Sequence, residues 1–75
     1  MIRYKFDVYK ALCDKGYTAA RMKETKFLSQ SAMTSLKNGD LVSLDTINTI
    51  CLLLRLQPGD IVESVYTDEE KIKYF

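Results

Sequence analysis

The chain has 75 residues, of which 47% are hydrophobic, and a net charge of +1 at pH 7. This length allows one small domain with a single core, and a composition with three Gly and one Pro is not that of a disordered chain. The longest apolar run, ICLLL, is too short to cross a membrane, and the N-terminal residues do not follow the pattern of a signal peptide.

The first part of the chain predicts two short helices. Apolar residues recur at helical spacing from residue 8 to residue 13, and Gly16 marks the end of this first helix. Thr18 can cap the second helix, which contains good helix formers and has Met22 as its inward anchor. A helix of barely two turns is unstable alone, so we expect packing to hold it.

Two further helices follow. Ser29 caps the third helix and Asn38-Gly39 ends it, whereas Ser43 caps the fourth helix, the most apolar of the chain. The predicted inward stripe of the fourth helix consists of Leu44, Ile47, Cys51 and Leu54, with Ile50 and Leu53 beside it.

The remaining segments complete an all-α fold. Pro58 favours the start of a short fifth helix. The alternating MIRYKF and the segment VESVY can pair as a small two-stranded ribbon. The charged and then apolar tail, residues 67–75, either frays or docks on the core or on a partner. We therefore predict one domain, residues 1–75, built as a compact bundle of five helices with its core at about residues 6–62.

Charge is distributed unevenly along the chain. Residues 1–39 contain eight Lys or Arg against three Asp or Glu, whereas residues 40–75 contain three against seven. Such an asymmetry indicates that the first half faces a polyanion and the second half faces elsewhere. Chance clustering in a short chain is the alternative.

The cysteines and the absence of histidine limit the chemistry of the chain. Cys13 and Cys51 fall on apolar helix faces outside any CxxC motif, which favours free thiols in a reducing cytoplasm over a disulfide. A zinc site of the usual kind is not expected without His, and no cofactor is implied. No GxSxG motif, phosphate-binding loop or paired buried carboxylates indicate an enzyme.

The outward face of the third helix is unusual. A solvated helix face usually carries Lys and Glu, but no acid lies between Gln30 and Asn38. Short hydrogen-bonding side chains suit a helix in the DNA major groove, because Gln can read adenine and Ser or Thr can bond several bases. The alternative is a solvated Ser/Thr-rich helix in a structural bundle. The side chains on this face are Gln30, Ser31, Thr34 and Ser35.

The segment FLSQSAMTSLKNGDLVSLDTINTICLLLRLQPGDIV resembles the Cro/C1-type (XRE) helix-turn-helix family of bacterial and phage regulators. The parts that match as they stand are SQSAMTSLKNG, SLDTINTICLLL and GDIV, and the resemblance covers about residues 6–62. It implies a lambda-repressor-like bundle whose third helix, about residues 30–38, reads the major groove of double-stranded DNA. It also implies a cytoplasmic repressor, forming a homodimer on a palindromic operator.

The resemblance assigns roles by position. The implied base-reading residues are Gln30, Ser31, Thr34 and Ser35, with Ala32 near the groove floor or a thymine methyl group. The implied phosphate-contacting residues are Thr18, Lys23, Ser29, Lys37 and Asn38, with Lys26 as a weaker candidate. Ordinary solubilising side chains are the alternative for these lysines.

Three positions depart from the family pattern, and the first is Lys23, which stands where many members have Ala. Ala19 stands where members of the family usually grip phosphate, often with Gln. Phe27 replaces the glycine that is usual in the turn between the second and third helices. Because that position often needs a positive φ, either the turn differs in this chain or Phe27 is strained.

A second class of function remains open. The acidic second half of the chain and its IKYF end fit a protein-interaction module on the same fold, such as an antitoxin-like or co-regulator subunit. In that case the polar face of the third helix would bind nothing. The salt dependence of DNA affinity separates the two classes, because a protein that neutralises several phosphates binds far less tightly as salt rises.

Overall fold

A computed structural model describes all residues from 1 to 75. It shows a mostly helical bundle with a small antiparallel sheet, which confirms the predicted fold class and adds a sixth helix. The elements in chain order are β1 (Ile2–Tyr4), α1 (Val8–Asp14), α2 (Ala19–Thr25), α3 (Gln30–Asn38), α4 (Leu44–Leu54), α5 (Pro58–Ile61), β2 (Val62–Ser64) and α6 (Asp68–Tyr74).

Side-chain caps begin the helices at the predicted residues. The hydroxyl oxygens of Thr18, Ser29 and Ser43 each accept a hydrogen bond from the backbone N–H three residues later, at 3.0–3.3 Å. Each cap satisfies one of the N–H groups that a helix start leaves without a partner. Gly39 ends α3 in the left-handed conformation, as the sequence predicts.

The core lies where α1, α3, α4 and α5 meet, with α2 packed on α3. All of its fully buried side chains are apolar, and no buried side-chain polar atom lacks a partner. The core residues are Val8, Leu12, Met22, Leu28, Met33, Leu36, Ile47, Ile50, Leu54 and Ile61.

One residue of the predicted inward stripe on α4 does not face the core. Leu44 is 84% exposed, although Ile47, Ile50 and Leu54 are buried as predicted. Leu44 lies at the start of α4 and shares its outer side with Asn48 and Leu52, since residues four apart stack on one face of a helix. The prediction that Leu44 faces inward is therefore wrong.

The two-stranded ribbon forms as predicted. Strands β1 and β2 are antiparallel, and Tyr4 is opposite Val62. The pair Arg3 and Glu63 is opposite as well, and the Arg3 Nε donates to the Glu63 Oε2 at 3.1 Å. The ribbon thus joins the N-terminal segment to the end of α5.

Helix α6 extends away from the body of the domain. None of its residues is buried, and the molecule measures 47 × 22 × 20 Å along its principal axes. A capping box between Thr67 and Glu70 begins the helix, and the Met1 amino group donates to the Glu70 carboxylate at 2.9 Å. Crossing a bilayer requires a longer and more apolar helix than any in this structure. Both cysteines are free and half-buried.

Candidate nucleic-acid interface

Helices α2 and α3 form a helix-turn-helix whose turn is residues 26–29. Leu28 in this turn is buried and fastens it to the core. The left-handed residue is Lys26, with φ 60°, and its backbone N–H donates to the Met22 carbonyl at 2.8 Å. Phe27 does not have a positive φ. Of the two alternatives for Phe27, the structure shows the first: the turn differs in this chain, and Phe27 is free of that strain.

The structure brings the predicted base-reading side chains together on one side of α3. Met33 and Leu36 are buried against the core, which turns the opposite side of the helix outward. Gln30, Ser31 and Thr34 are exposed on that side, and Ser35 is half-buried at its edge. Asn38 is exposed at the C-terminal end of the same helix. We call the outward side of α3, formed by Gln30, Ser31, Thr34, Ser35 and Asn38, the α3 face.

The side chain of Gln30 is held by helix α2. Its Nε2 donates to the backbone carbonyl of Ala19 at 3.0 Å. Ala19, which departs from the family pattern, therefore positions Gln30 through its backbone. One amide hydrogen and the Oε1 of Gln30 remain available, because a primary amide offers two donors and an acceptor.

Thr34 is oriented by its own helix. Its Oγ1 donates to the Gln30 carbonyl at 3.0 Å, so its only hydroxyl hydrogen is used within the protein. What Thr34 can present outward is its methyl group and the lone pairs of its oxygen.

Lysines surround both ends of the α3 face. Lys23 and Lys26 line a hollow of about 330 Å³ together with Ser29 and Gln30. Lys37 lines a second hollow, of about 150 Å³, whose walls also include Gln30 and Thr34. The structure thus places Lys23, Lys26 and Lys37 close to the predicted base-reading residues.

The positive charge of these lysines is not neutralised within the protein. Its two ion pairs join Met1 to Glu70 and Arg3 to Glu63, both at the ribbon and the tail. No carboxylate therefore pairs with a lysine at the α3 face. A polyanion that approaches this face meets uncompensated positive charge.

The predicted polar caps are partly occupied. The Thr18 and Ser29 hydroxyls already accept hydrogen bonds at the starts of α2 and α3. The Ser29 cap takes the N–H of Ala32, and the N–H of Met33 bonds to the Ser29 carbonyl. The N–H groups of Gln30 and Ser31 therefore have no partner within the helix, as at any helix start.

A family model for the Cro/C1-type helix-turn-helix DNA-binding domain matches residues 8–66. The chain belongs to this family. It is therefore a DNA-binding regulator in general terms, of a family that is typically non-enzymatic. Searches of curated proteins and of solved structures found no significant match.

Two tyrosines near the α3 face of this Cro/C1-type domain stay neutral at ordinary pH. The pKa of Tyr9, beside the hollow of Lys37, is raised by the nearby Cys13 and by burial. Burial also raises the pKa of Tyr4, whose hydroxyl donates to the Asp40 carbonyl at 2.7 Å. Neither tyrosine adds negative charge to the interface.

Two further exposed residues, one on α2 and one in the loop after α3, are absent from the sequence-based assignment. Arg21 is exposed on α2, with its guanidinium 4.9 Å from the centre of the Tyr17 ring. Leu41 is exposed in the loop after α3 and lines a hollow with Ser31 and Ser35. The sequence offers one signal for each: Arg21 is a cation near the start of α2, and Leu41 is a large apolar residue in the loop between α3 and α4.

Proposed function

We propose that this protein is a sequence-specific transcriptional repressor that places α3 in the major groove of an operator. The observation that carries the proposal is an exposed, acid-free α3 face with unpaired lysines at both ends. The groove admits a helix of this kind, and phosphates attract the lysines on either side of it. The protein would do this in the cytoplasm and without a cofactor.

Gln30 is the principal base-reading residue in this proposal. A bidentate contact to adenine needs one donor for N7 and one acceptor for the N6 amino group. Gln30 retains both while its other hydrogen binds the Ala19 carbonyl. This contact restricts the side chain before DNA binds, so less conformational entropy is lost on binding.

The other side chains of the α3 face have complementary roles. Thr34 offers its methyl group to a thymine methyl, because its hydroxyl hydrogen is bonded to the Gln30 carbonyl. The hydroxyls of Ser31 and Ser35 can bond to several bases and refine the preference. Ala32, half-buried beside them, leaves room for a close approach.

Phosphate contacts position the helix. At its N-terminal end, Lys23 and Lys26 share a hollow with Ser29, and the free N–H groups of the first turn suit an anion. At its C-terminal end, Lys37 and Asn38 would hold the backbone on the other side of the groove. Thr18 would contribute its backbone or hydroxyl lone pair at the start of α2.

The proposed operator is palindromic and binds a homodimer. One domain offers a short reading helix of nine residues, which covers only a few base pairs. Two copies related by a two-fold axis would read half-sites about 34 Å apart, one helical turn of DNA, and combine their affinities.

Selection of bound duplexes from a random DNA pool tests the proposal. We expect a palindrome with half-sites about one turn apart, and binding that weakens steeply with salt. In the Gln30→Ala variant, preference at one base pair of each half-site should relax by about 1–3 kcal/mol. Ser64→Ala, at an exposed polar residue of β2 outside the α3 face, is the control and should keep the wild-type preference.

Each outcome has a defined reading. If Gln30→Ala leaves every base preference unchanged, α3 does not read the groove in the proposed way. If the wild-type protein enriches no duplex even at low salt, the alternative of a protein-interaction module replaces the proposal.

A further inference from the structure

Helix α6 presents an apolar side that is largely exposed, and its one aromatic contact joins the Phe75 and Tyr66 rings, whose centres are 5.2 Å apart. Ile72 is 86% exposed and Phe75 is 78% exposed. Asp68, Ile72 and Phe75 are spaced i, i+4 and i+7, so they share one side of the helix. Glu70 lies on the other side, where it binds the Met1 amino group. We call residues 67–75 the arm.

A second uncovered apolar surface lies at the other end of α4 from the α3 face. Leu52 is 70% exposed. It borders a groove of about 510 Å³ between the end of α4 and the start of α5. We call this the α4–α5 groove, and its walls are formed chiefly by Asn48, Cys51, Leu52, Arg55, Leu56 and Gln57.

The charges of the two surfaces are complementary. Arg55 is exposed at the α4–α5 groove, forms no ion pair and is the sole cation among residues 40–66. Asp68 stands beside the apolar residues of the arm and also forms no ion pair. The arm contains three acids and two lysines, and its side with Asp68, Ile72 and Phe75 thus matches a groove with one cation and an apolar wall.

No residue of the arm lines its own groove. The Met1 amino group binds Glu70 and the Val65 carbonyl, and the capping box of Thr67 fixes the start of the helix. The length of the molecule, 47 Å against 22 and 20 Å, reflects the projecting arm. A second copy of the chain can meet the arm without disturbing these contacts.

We infer that the arm of one copy binds the α4–α5 groove of a second copy, and that the second arm binds the first groove in return. The inference rests on the proposed function, whose homodimer it provides with an interface. A two-fold axis generates the arm–groove contact twice, so the dimer interface consists of two such contacts. Asp68 then faces Arg55, while Ile72 and Phe75 cover Leu52 and Leu56.

This arrangement leaves the α3 face free. The start of α4 borders that face, because Ser43 and Thr46 line a hollow with Ser31 and Ser35. Leu52 lies eight residues after Leu44, the first residue of α4, which corresponds to about 12 Å along the helix at 1.5 Å per residue. The same dimer can therefore hold its arms and bind DNA.

Sedimentation equilibrium of the full chain over a wide concentration range, without DNA, tests the inference. We expect a monomer–dimer equilibrium that Leu52→Asp in the groove and Ile72→Asp in the arm each weaken at least tenfold. Phe27→Asp is the control, because Phe27 is an exposed apolar residue outside both surfaces. It should self-associate like the wild type, and circular dichroism should show that all variants are folded.

Mixing the two variants gives the decisive measurement. A homodimer of either variant has no intact arm–groove contact, whereas a mixed dimer retains one. The mixture should therefore associate more tightly than either variant alone. A wild-type protein that stays monomeric, an Ile72→Asp variant that dimerises like the wild type, or a mixture that gains nothing would each overturn the inference.

The proposed function fails in a different way. Ile72→Asp should still prefer the bases of a single half-site in the duplex selection, since the α3 face is unchanged. Loss of the interface alone would lower affinity for the full palindrome and leave this preference intact. Loss of base preference in a protein that still dimerises would contradict the proposed function and not the interface.

Discussion

At the scale of single residues, two helices of this protein end at a left-handed residue that is not glycine. Lys26 after α2 and Arg55 after α4 adopt the left-handed conformation, with φ of 60° and 56°. A residue with a Cβ is strained there by about 1–2 kcal/mol. Each compensates in part through its backbone N–H, which bonds to a carbonyl of the preceding helix.

Replacing Lys26 with Gly should therefore stabilise the domain. Glycine relieves the strain but loses more entropy on folding, so we expect a net gain of about 0.5–1 kcal/mol in the free energy of unfolding. Denaturant unfolding measures the change, with Lys26→Ala as the control that keeps a Cβ. Phe27→Gly should bring no gain, and a larger gain there than at Lys26 would contradict the observed turn.

Residue types predicted which side of α3 is exposed, but they did not predict the hydrogen bonds of its side chains. Gln30, Thr34 and Ser31 are exposed together because Met33 and Leu36, readable from their spacing, face the core. The contact from Gln30 to Ala19 could not be predicted, since its acceptor is a backbone carbonyl eleven residues earlier in the chain. The sequence specifies each side chain, but every residue has the same backbone carbonyl. The sequence therefore does not indicate which carbonyl a side chain will contact.

At the scale of elements, capping residues and the spacing of apolar residues predicted five helices. The sixth helix was not predicted, because it buries no residues. The sequence of α6 has no inward stripe, because none of its residues is buried. Its one local signal is the pair Thr67 and Glu70, which has the spacing of a capping box. The inward assignment of Leu44 failed for a related reason: apolar character does not decide the side of a helix at its first turn.

The attachment of α6 should depend on pH. The Met1 amino group, and next the backbone N–H of Thr67, lower the pKa of Glu70 below its ordinary value of 4.5. A lowered pKa in the folded state stabilises α6 fully above the ordinary value, and this effect is lost as pH falls through the lowered one. We expect amide exchange in residues 67–75 to accelerate as pH falls below 4.5 and through the lowered pKa of Glu70, after correction for the intrinsic rate.

Glu70→Gln is the matched control for this prediction. It keeps the size of the side chain and removes its titration, so exchange in the arm should be fast at pH 6 and should change little on acidification. An arm that exchanges equally fast in the wild type at pH 6 would show that the Glu70 contact does not hold it.

At the scale of the whole molecule, the unpaired positive charge at the α3 face is separated from the ion-paired ribbon and arm. The lysines near α3 have no carboxylate partner, whereas the ribbon and the arm contain both ion pairs. This separation is the spatial counterpart of the charge asymmetry in the sequence. It gives the molecule an orientation in the field of DNA, with the basic end leading.

The Lys23→Ala variant measures how far this field contributes to binding. Removing one phosphate contact should weaken all DNA sequences alike and reduce the slope of log affinity against log salt by about one. Lys71→Ala, which removes the same charge from α6, is the control and should keep the full slope on a single half-site. A Lys23→Ala variant with an unchanged slope would remove this lysine from the phosphate-contacting set.

The pairing of β1 with β2 also sets an order of assembly during synthesis. Residues 2–4 precede helices α1 to α5 in the chain, but their partners at residues 62–64 follow these helices. Long-range contacts of this kind form late, because a long loop must close before they are made. Helices α1 to α4 can therefore pack together before β2 pairs with β1, so the α3 face forms before the ribbon does.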